Sequence, residues 1–519
     1  MQQFPSGAEF NAGASGNLPL RSRRAGLGHC LWLALALIAW LLTTIWVRPL
    51  ALPDEGRYAG VAWEMVRSGH WLTPTLDGLP YFHKPPMFYW LTAIAIKLFG
   101  FHEWSVRLAS MTGALVAAGA TWRLMQRWVS PAAALWGLAI VATMPLFYGG
   151  AQYANHDMLV AGFISGAIAL GADALLSRDA GLPWRASLLL AWTCMALGLL
   201  SKGLIGLVLP SGVMFFWLLL TRRPLWLLRL FWWPAPLLFV AIAAPWFVLM
   251  QLKFPEFFDY FFIHQHFERF SQKGFNNNQP FWFYPVALSV LCLPWTVALL
   301  TRTRIGVARD LSHRAVRVLL WTWVAVILAF FSLPASKLIG YSLPVVPALA
   351  ALAGEAVARW QRRWLRTTFI VVAALLCVVA VAIISRAETV SSKALAAAWR
   401  AQALPDDGLL SLRLYRFDFP IYAQLREPLP VYHAWEDPAL VARDSWPREL
   451  IDATQFDPAM GKQVLRPVAE LKAALCAHDV TWVIAGKDER EPLLNNATTA
   501  ADNEKYALKR VERSKLDCR

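Results

Sequence analysis

Most of the residues able to do chemistry fall outside the apolar runs of this chain. Asp54 opens the stretch DEGRYAGVAWEMVRSGHWLTPTLDGLPYFHKPPMFYW, residues 54 to 90, and Asp157 ends the stretch GAQYANHD, residues 150 to 157. Each follows or precedes a long apolar run, so two carboxylates distant in sequence can meet at one membrane face. Such a pair can orient a nucleophile, act as a general base or bind a metal, or each acid can simply cap a helix. Ionisable groups beside lipid are costly and usually functional. Lys84, Lys202, Arg269 and Lys337 supply cations that suit an anionic partner such as a phosphate, with snorkelling to lipid headgroups as the plainer role. Tyr58, Tyr81, Tyr153 and Tyr341 can donate hydrogen bonds to a sugar or phosphate. His83, His264 and His266 raise a divalent metal, zinc or magnesium. His264 and His266 stand two apart and share no helix face, so one of them with His83 and a carboxylate is the more workable set; plain hydrogen-bonding histidines are the alternative.

The elements that position these groups are membrane spans. The chain has 519 residues, 57% apolar and 16% charged, with a positive mean hydropathy, the composition of a polytopic membrane protein. Apolar runs centre on 29–48, 106–122, 131–149, 158–176, 186–200, 203–220, 231–250, 281–300, 316–333, 338–357 and 367–384. A further apolar helix at 87–99, interfacial or embedded, puts the expected span count at about eleven to thirteen. Many of the 27 Trp fall near run ends, as aromatic belts require. The net charge of +15 sits in short Arg clusters between spans. That pattern is the positive-inside rule and excludes a nucleic-acid-binding reading, for which no motif is present.

With the N-terminus cytoplasmic, every Arg cluster between spans lands inside. Residues 51–105, 150–157, 201–202, 251–280, 334–337 and the tail then lie outside, in the periplasm of a Gram-negative cell or outside the cell otherwise. Residues 1–27 read as a cytoplasmic tail before a retained anchor. The 54–90 stretch, polar yet rich in Trp and Tyr, reads as a loop with a short amphipathic helix at the interface. Beyond about 388 the pattern changes. GLLSLRLYR (408–416), LPVYHAW (429–435) and VTWVIAGK (480–487) suggest strands, and 467–477 a helix, giving a soluble α/β domain over 388–519 large enough for its own core. Cys476 and Cys518 there can pair in an oxidising compartment or remain thiols.

Several motifs resemble one family. DEGRYA (54–59), G-H-W-L-T-P with L-D-G-x-P, H-K-P-P (83–86), HD (156–157), HFERF (266–270) and SKLIGYSLPVVPALA (336–350) are similar to the GT-C membrane glycosyltransferases that use a polyprenyl-phosphate sugar. Within these the likeness is to the subgroup of 4-amino-4-deoxy-L-arabinose transferases of lipid A, distant relatives of protein O-mannosyltransferases. It covers roughly residues 30–360. The resemblance implies a GT-C membrane domain over 28–387 followed by a periplasmic α/β domain. It implies an inverting transfer of a sugar, aminoarabinose, from undecaprenyl phosphate to lipid A or another envelope acceptor. It carries the catalytic carboxylate onto Asp54, with Asp157 as the second-loop acid, and lipid-phosphate contacts onto Lys84, Arg269, Lys337 and Tyr341. His83 stands where those enzymes tend to have an acid. Alternatives are a related transferase acting on another glycan or protein, or a lipid-linked-sugar flippase. Transporters, however, keep charges at mid-membrane depth, whereas here they gather at one face.

Overall fold

The computed structural model describes residues 27–268, 277–301, 311–387, 390–441 and 445–518. From the N-terminus run α1 (Leu27–Leu42), α2 (Asp54–Ser68), a hairpin of β1 (Thr75–Leu76) and β2 (Leu79–Pro80), α3 (Met87–Phe99) and α4 (Glu103–Trp128). There follow α5 (Pro131–Thr143), α6 (Pro145–Ala151), α7 (His156–Asp179), α8 (Arg185–Lys202), α9 (Ile205–Leu220) and α10 (Pro234–Lys253). After a π-helical stretch at Asp259–Glu268 come α11 (Phe283–Leu291), α12 (Trp295–Leu300), α13 (Leu311–Ser332), α14 (Val346–Val357) and α15 (Arg363–Ala387).

All eleven apolar runs contain helix; the first is helical only to Leu42, and three are interrupted. Run 131–149 is split into α5 and α6, bent by 66°, where Pro145 cannot continue the ladder. Run 281–300 divides into α11 and α12 at Pro294, and run 338–357 starts as a 3₁₀ turn, Ile339–Val345, containing Pro344. Among the described residues five helices are long and apolar enough to cross a membrane, or six with the bent pair as one span. The others are shorter or more polar than a full crossing requires. The protein is multi-pass.

α7 is the central helix: its apolar window is wholly buried inside the protein, as expected of a helix apolar on all sides. It crosses α4 closely. A Cβ on Gly162 would fall 2.1 Å from Gly113 O, so only glycine fits. Asn155 starts α7 by accepting the Asp157 N–H. At the other end Asp173 takes Arg127, Trp128 and Ser187. α7 therefore holds an acid near each end, one on each side of the bundle.

The C-terminal part comprises α16 (Lys393–Gln402), β3 (Gly408–Leu412), α17 (Phe419–Ala423), β4 (Val431–His433), α18 (Trp446–Thr454), α19 (Pro458–Val464), β5 (Leu465–Pro467), α20 (Leu471–Leu475), β6 (Val480–Gly486), β7 (Thr498–Asp502) and β8 (Tyr506–Glu512). Its sheet has the order β5-β4-β3-β6-β8-β7, parallel from β5 to β6 and antiparallel at β8 and β7. The expected strands and helix are present; β5, β7 and β8 were not expected. Cys476 and Cys518 form a disulfide.

Two expectations need correcting. The tail's core is not all its own. One sheet face (Leu410, Leu412, Val483, Ala485) packs with Leu471 and Leu475. The other (Trp482, Ile484, Leu508) shares one apolar cluster with Tyr58, Val61 and Phe88 of the membrane part. Nor is α2, the short amphipathic helix expected at the interface, left uncovered by protein. Most of it is buried, from Glu55 to Met65, and the C-terminal part lies over it. Gly56 leaves no room for a Cβ beside Asp418, and Trp63 Nε1 donates to Leu425 O. Its mixture of charge and aromatic side chains suits burial in protein, where each charge finds a partner.

The hairpin helps dock the C-terminal part. Asp77 and Gly78 both take positive φ, 54° and 78°, which makes a type I′ turn. Glu64 accepts from Thr75 Oγ1 and from the Asp77 and Gly78 N–H groups, while Asp77 Oδ1 accepts the Leu429 N–H at 2.7 Å. Burial raises the Asp77 carboxyl well above its ordinary range, with the neighbouring Glu64 adding to the rise and Leu429, Tyr415 and Arg67 opposing it. A raised acid binds its proton more tightly when folded. Its contribution to stability is therefore complete below the unfolded value of 3.8 and lost as pH rises through the folded value. Asp77→Asn, which tolerates this backbone, should remove part of the fall in melting temperature with rising pH. Parallel melting curves of wild type and variant in detergent over pH 4 to 9 check this; curves that fall equally would refute it.

Candidate active site

α2 carries two adjacent acids with opposite surroundings. Glu55 is fully buried and bound by Arg48 and Arg107. Asp54 has 28% of its side chain exposed. Glu64 and Asp77, the other acids of the loop, are buried in the hairpin. Asp54 is thus the acid between 54 and 84 that stays open to a ligand.

Asp54 is held at both oxygens. Oδ1 accepts Arg57 Nη2 at 2.5 Å, one helical turn on, and Oδ2 accepts Asn155 Nδ2 at 2.9 Å. The same residue that caps α7 thus fixes α2's acid, which brings the first loop onto the 150–157 stretch. Asp157 lies two residues after Asn155. It forms an ion pair with Lys202 at the end of α8. Lys202 Nζ also sits 4.5 Å from the centre of the Tyr341 ring, and that ring stacks on Phe331. The contact is tight: a Cβ on Gly340 would fall 2.1 Å from Asp157 Oδ2. Asp157 therefore positions a cation that it partly neutralises.

Lys84 is half-buried after His83 and before Pro85-Pro86. Lys84, Lys202 and Arg57 all lie near enough to His156 to act on its ring electrostatically. His156 is fully buried, boxed by Tyr58, Phe88 and Tyr89 with ring centroids 4.4, 4.7 and 5.0 Å away. Tyr58 and Tyr81 are buried, which raises both phenols above their ordinary range, so both are neutral donors at physiological pH. Tyr81 OH points to Glu449 Oε2 at 3.5 Å.

Four segments anticipated on one side thus meet, through Asp54, Asn155–Asp157, Lys202 and Tyr341. The Lys337 ammonium donates to the carbonyls of Gln279 and Pro334 at 2.9 and 2.6 Å, tying two loops together. Arg269 lies outside the described residues, as do the side chains of His264 and His266. The His83 ring stacks on Tyr81. Among the described residues no three His, Cys, Asp or Glu side chains gather as a metal site.

Sequence reasoning passed over Arg48, Arg57, Arg107, Asn155 and Glu449. The first three had a signal: they are cations on the side that positive-inside patterning keeps poor in them, and Arg107 interrupts an apolar run. Glu449 had none, being one of many charges on a polar tail.

Fold and site define a multi-pass membrane protein of GT-C architecture with a mixed α/β domain closing over its charged face. Comparison with known proteins is consistent with this. Residues 83–249 match the family described as dolichyl-phosphate-mannose-protein mannosyltransferase. The chain is 34% identical over 310 residues to the undecaprenyl phosphate-alpha-4-amino-4-deoxy-L-arabinose arabinosyl transferase of Aeromonas hydrophila, covering 59% of this chain and 55% of that protein. It is 32% identical over 338 residues to the protein of the same name from Pseudomonas aeruginosa PAO1, covering 64% and 60%. The chain therefore spans less than two thirds of the length of these curated relatives. In structure it resembles ArnT from Cupriavidus metallidurans, solved bound to undecaprenyl phosphate, with a TM-score of 0.78 and 22% identity over 94% of this chain and 98% of that one.

Proposed function

We propose that this protein is a glycosyltransferase of the inner membrane that moves 4-amino-4-deoxy-L-arabinose from undecaprenyl phosphate to lipid A on the periplasmic face. The observation that carries the reading is the chain of contacts that links a partly exposed carboxylate, Asp54, through Asn155 and Asp157 to Lys202 and Tyr341. The names of its relatives supply the donor, the family resemblance supplies lipid A as the acceptor, and the bound lipid of the ArnT structure supports a polyprenyl phosphate.

In this reading the acceptor oxygen attacks the anomeric carbon and its bond forms as the bond to the polyprenyl phosphate breaks, with inversion. Lys84 and Lys202 stabilise charge developing on the leaving phosphate; Arg269 joins them by the family resemblance. Lys337 is left out of this set because backbone carbonyls occupy it. Asp54 orients the acceptor, and accepts its proton if the acceptor is a hydroxyl; a phosphate acceptor is already ionised. Lys84→Ala should reduce transfer by about a hundredfold or more, the loss of one charge-stabilising donor, and weaken binding of undecaprenyl phosphate. Tritiated donor in reconstituted membranes reads both quantities; unchanged transfer would remove Lys84 from the site.

The test of the whole reading is mass spectrometry of lipid A from cells with and without the gene. An aminopentose that disappears with the gene and returns with wild type, but not with Asp54→Ala, supports donor and acceptor together. Unchanged lipid A redirects the search to another envelope glycan or a protein as acceptor.

A further inference from the structure

The C-terminal part reaches into the site through one side chain. Glu449, on α18, is almost fully buried, and its Oε1 accepts Arg57 Nη1. The other arm of the same guanidinium, Nη2, donates to Asp54 Oδ1 at 2.5 Å. The cation is flanked by the Tyr58 ring on α2 and by the Phe417 ring from the C-terminal part, 5.1 and 5.5 Å from their centres. One planar fork thus bridges two carboxylates, the second of them 392 residues from Arg57 in sequence. Tyr81 OH approaches the second oxygen of Glu449, so that carboxylate is itself fixed.

We propose that Glu449 is a positioning residue for sugar transfer: acting through Arg57, it sets the place of Asp54, so that the membrane domain's carboxylate is correctly aimed only when the C-terminal domain is docked. This rests on the function proposed above. A guanidinium with two carboxylates in its fork has one orientation, because each arm is spoken for. Without the Glu449 charge, the buried Arg57 turns toward its remaining carboxylate and closes on both oxygens of Asp54. It then competes with Asn155 Nδ2, which holds Oδ2 at 2.9 Å. Asp54 shifts, and reaction geometry is sensitive to displacements on the order of 1 Å, which cost about a hundredfold. Substrate binding is less affected, since Lys84 and Lys202 keep their places.

The proposal is tested with Glu449→Gln and Glu449→Asp in the full-length protein, measuring kcat and KM for transfer from undecaprenyl-phosphate aminoarabinose to lipid A. Glu449→Gln should lower kcat about thirtyfold to a hundredfold with donor KM and melting temperature little changed. Glu449→Asp, which restores the charge, should recover part of kcat. A Gln variant with wild-type kcat, or a loss confined to KM, would overturn the proposal while leaving the transferase reading intact. If the Gln variant does not fold, the Asp variant carries the test alone. A kcat lowered with KM kept supports positioning; wild-type kcat overturns it. If wild type transfers no aminoarabinose, the functional reading fails instead. The cryo-EM structure of Glu449→Gln then decides the positioning claim by itself: Arg57 repositioned on Asp54 upholds it, and Arg57 unmoved ends it.

Discussion

Asp54→Asn should lower sugar transfer by about a thousandfold, within the range of about 10² to 10⁴ that a positioned acid or base contributes, and should leave the protein folded. The substitution preserves size, and the side chain is partly open to solvent, so little packing depends on its charge. It removes the acceptor-orienting carboxylate and leaves Arg57 with Glu449 alone. Transfer measured in reconstituted membranes, beside the melting temperature and the affinity for undecaprenyl phosphate, reads the three effects separately. Activity within about tenfold of wild type would exclude general-base or orienting work by Asp54, since that is less than such a group supplies.

One residue later the same change should do the reverse. Glu55→Gln is expected to destabilise the protein by about 3–5 kcal/mol, the usual result of stripping one partner from a buried ion network. Glu55 Oε1 accepts from Arg48, Arg107 and the Ala154 N–H, and Oε2 from Arg48, Arg107 and the Ala51 N–H, all at 2.5 to 3.0 Å. Arg107 also reaches the carbonyls of Ile45, Arg48 and Pro49. One carboxylate thus joins the end of the first apolar run, α2, α4 and the turn before α7. Gln keeps the shape but leaves two guanidiniums in the interior without a counter-charge. Burial pushes the Glu55 carboxyl up, and Arg107 and Arg48 more than offset this, holding it at about 2. For a lowered acid the stabilisation is present above the unfolded value of 4.5 and lost only as pH falls through about 2. The Glu55→Gln deficit should therefore be constant across the neutral range. Expression level and thermal unfolding in detergent measure it, and a melting temperature equal to that of Asp54→Asn would refute the structural role.

The contrast between Asp54 and Glu55 marks where sequence reasoning stops. Both are acids at the start of one helix, and DE as a dipeptide does not say which is spent internally. That depends on Arg48 and Arg107 arriving from before α2 and from α4, contacts set by how helices cross. Lys337 teaches the same lesson: its motif is legible, but its ammonium is turned onto backbone carbonyls. Asp157 was legible as an acid at a span end and not as the partner of Lys202.

By itself the sequence determined the membrane-spanning class, because apolar length and Arg placement are one-dimensional quantities that lipid and water read directly. It also pointed to strands within 408–416, 429–435 and 480–487, which the structure has at 408–412, 431–433 and 480–486, since strands largely buried on both sheet faces are mostly apolar. That Asp54, Asp157 and Lys202 come together is seen only in the structure, through Asn155. Only the tertiary structure decided that the C-terminal part shares its core with α2 and α3 and sends Glu449 to Arg57. Pairings over hundreds of residues leave no periodicity in the chain. They depend on the docking of two surfaces, and each side chain involved is, in sequence, one polar residue among many.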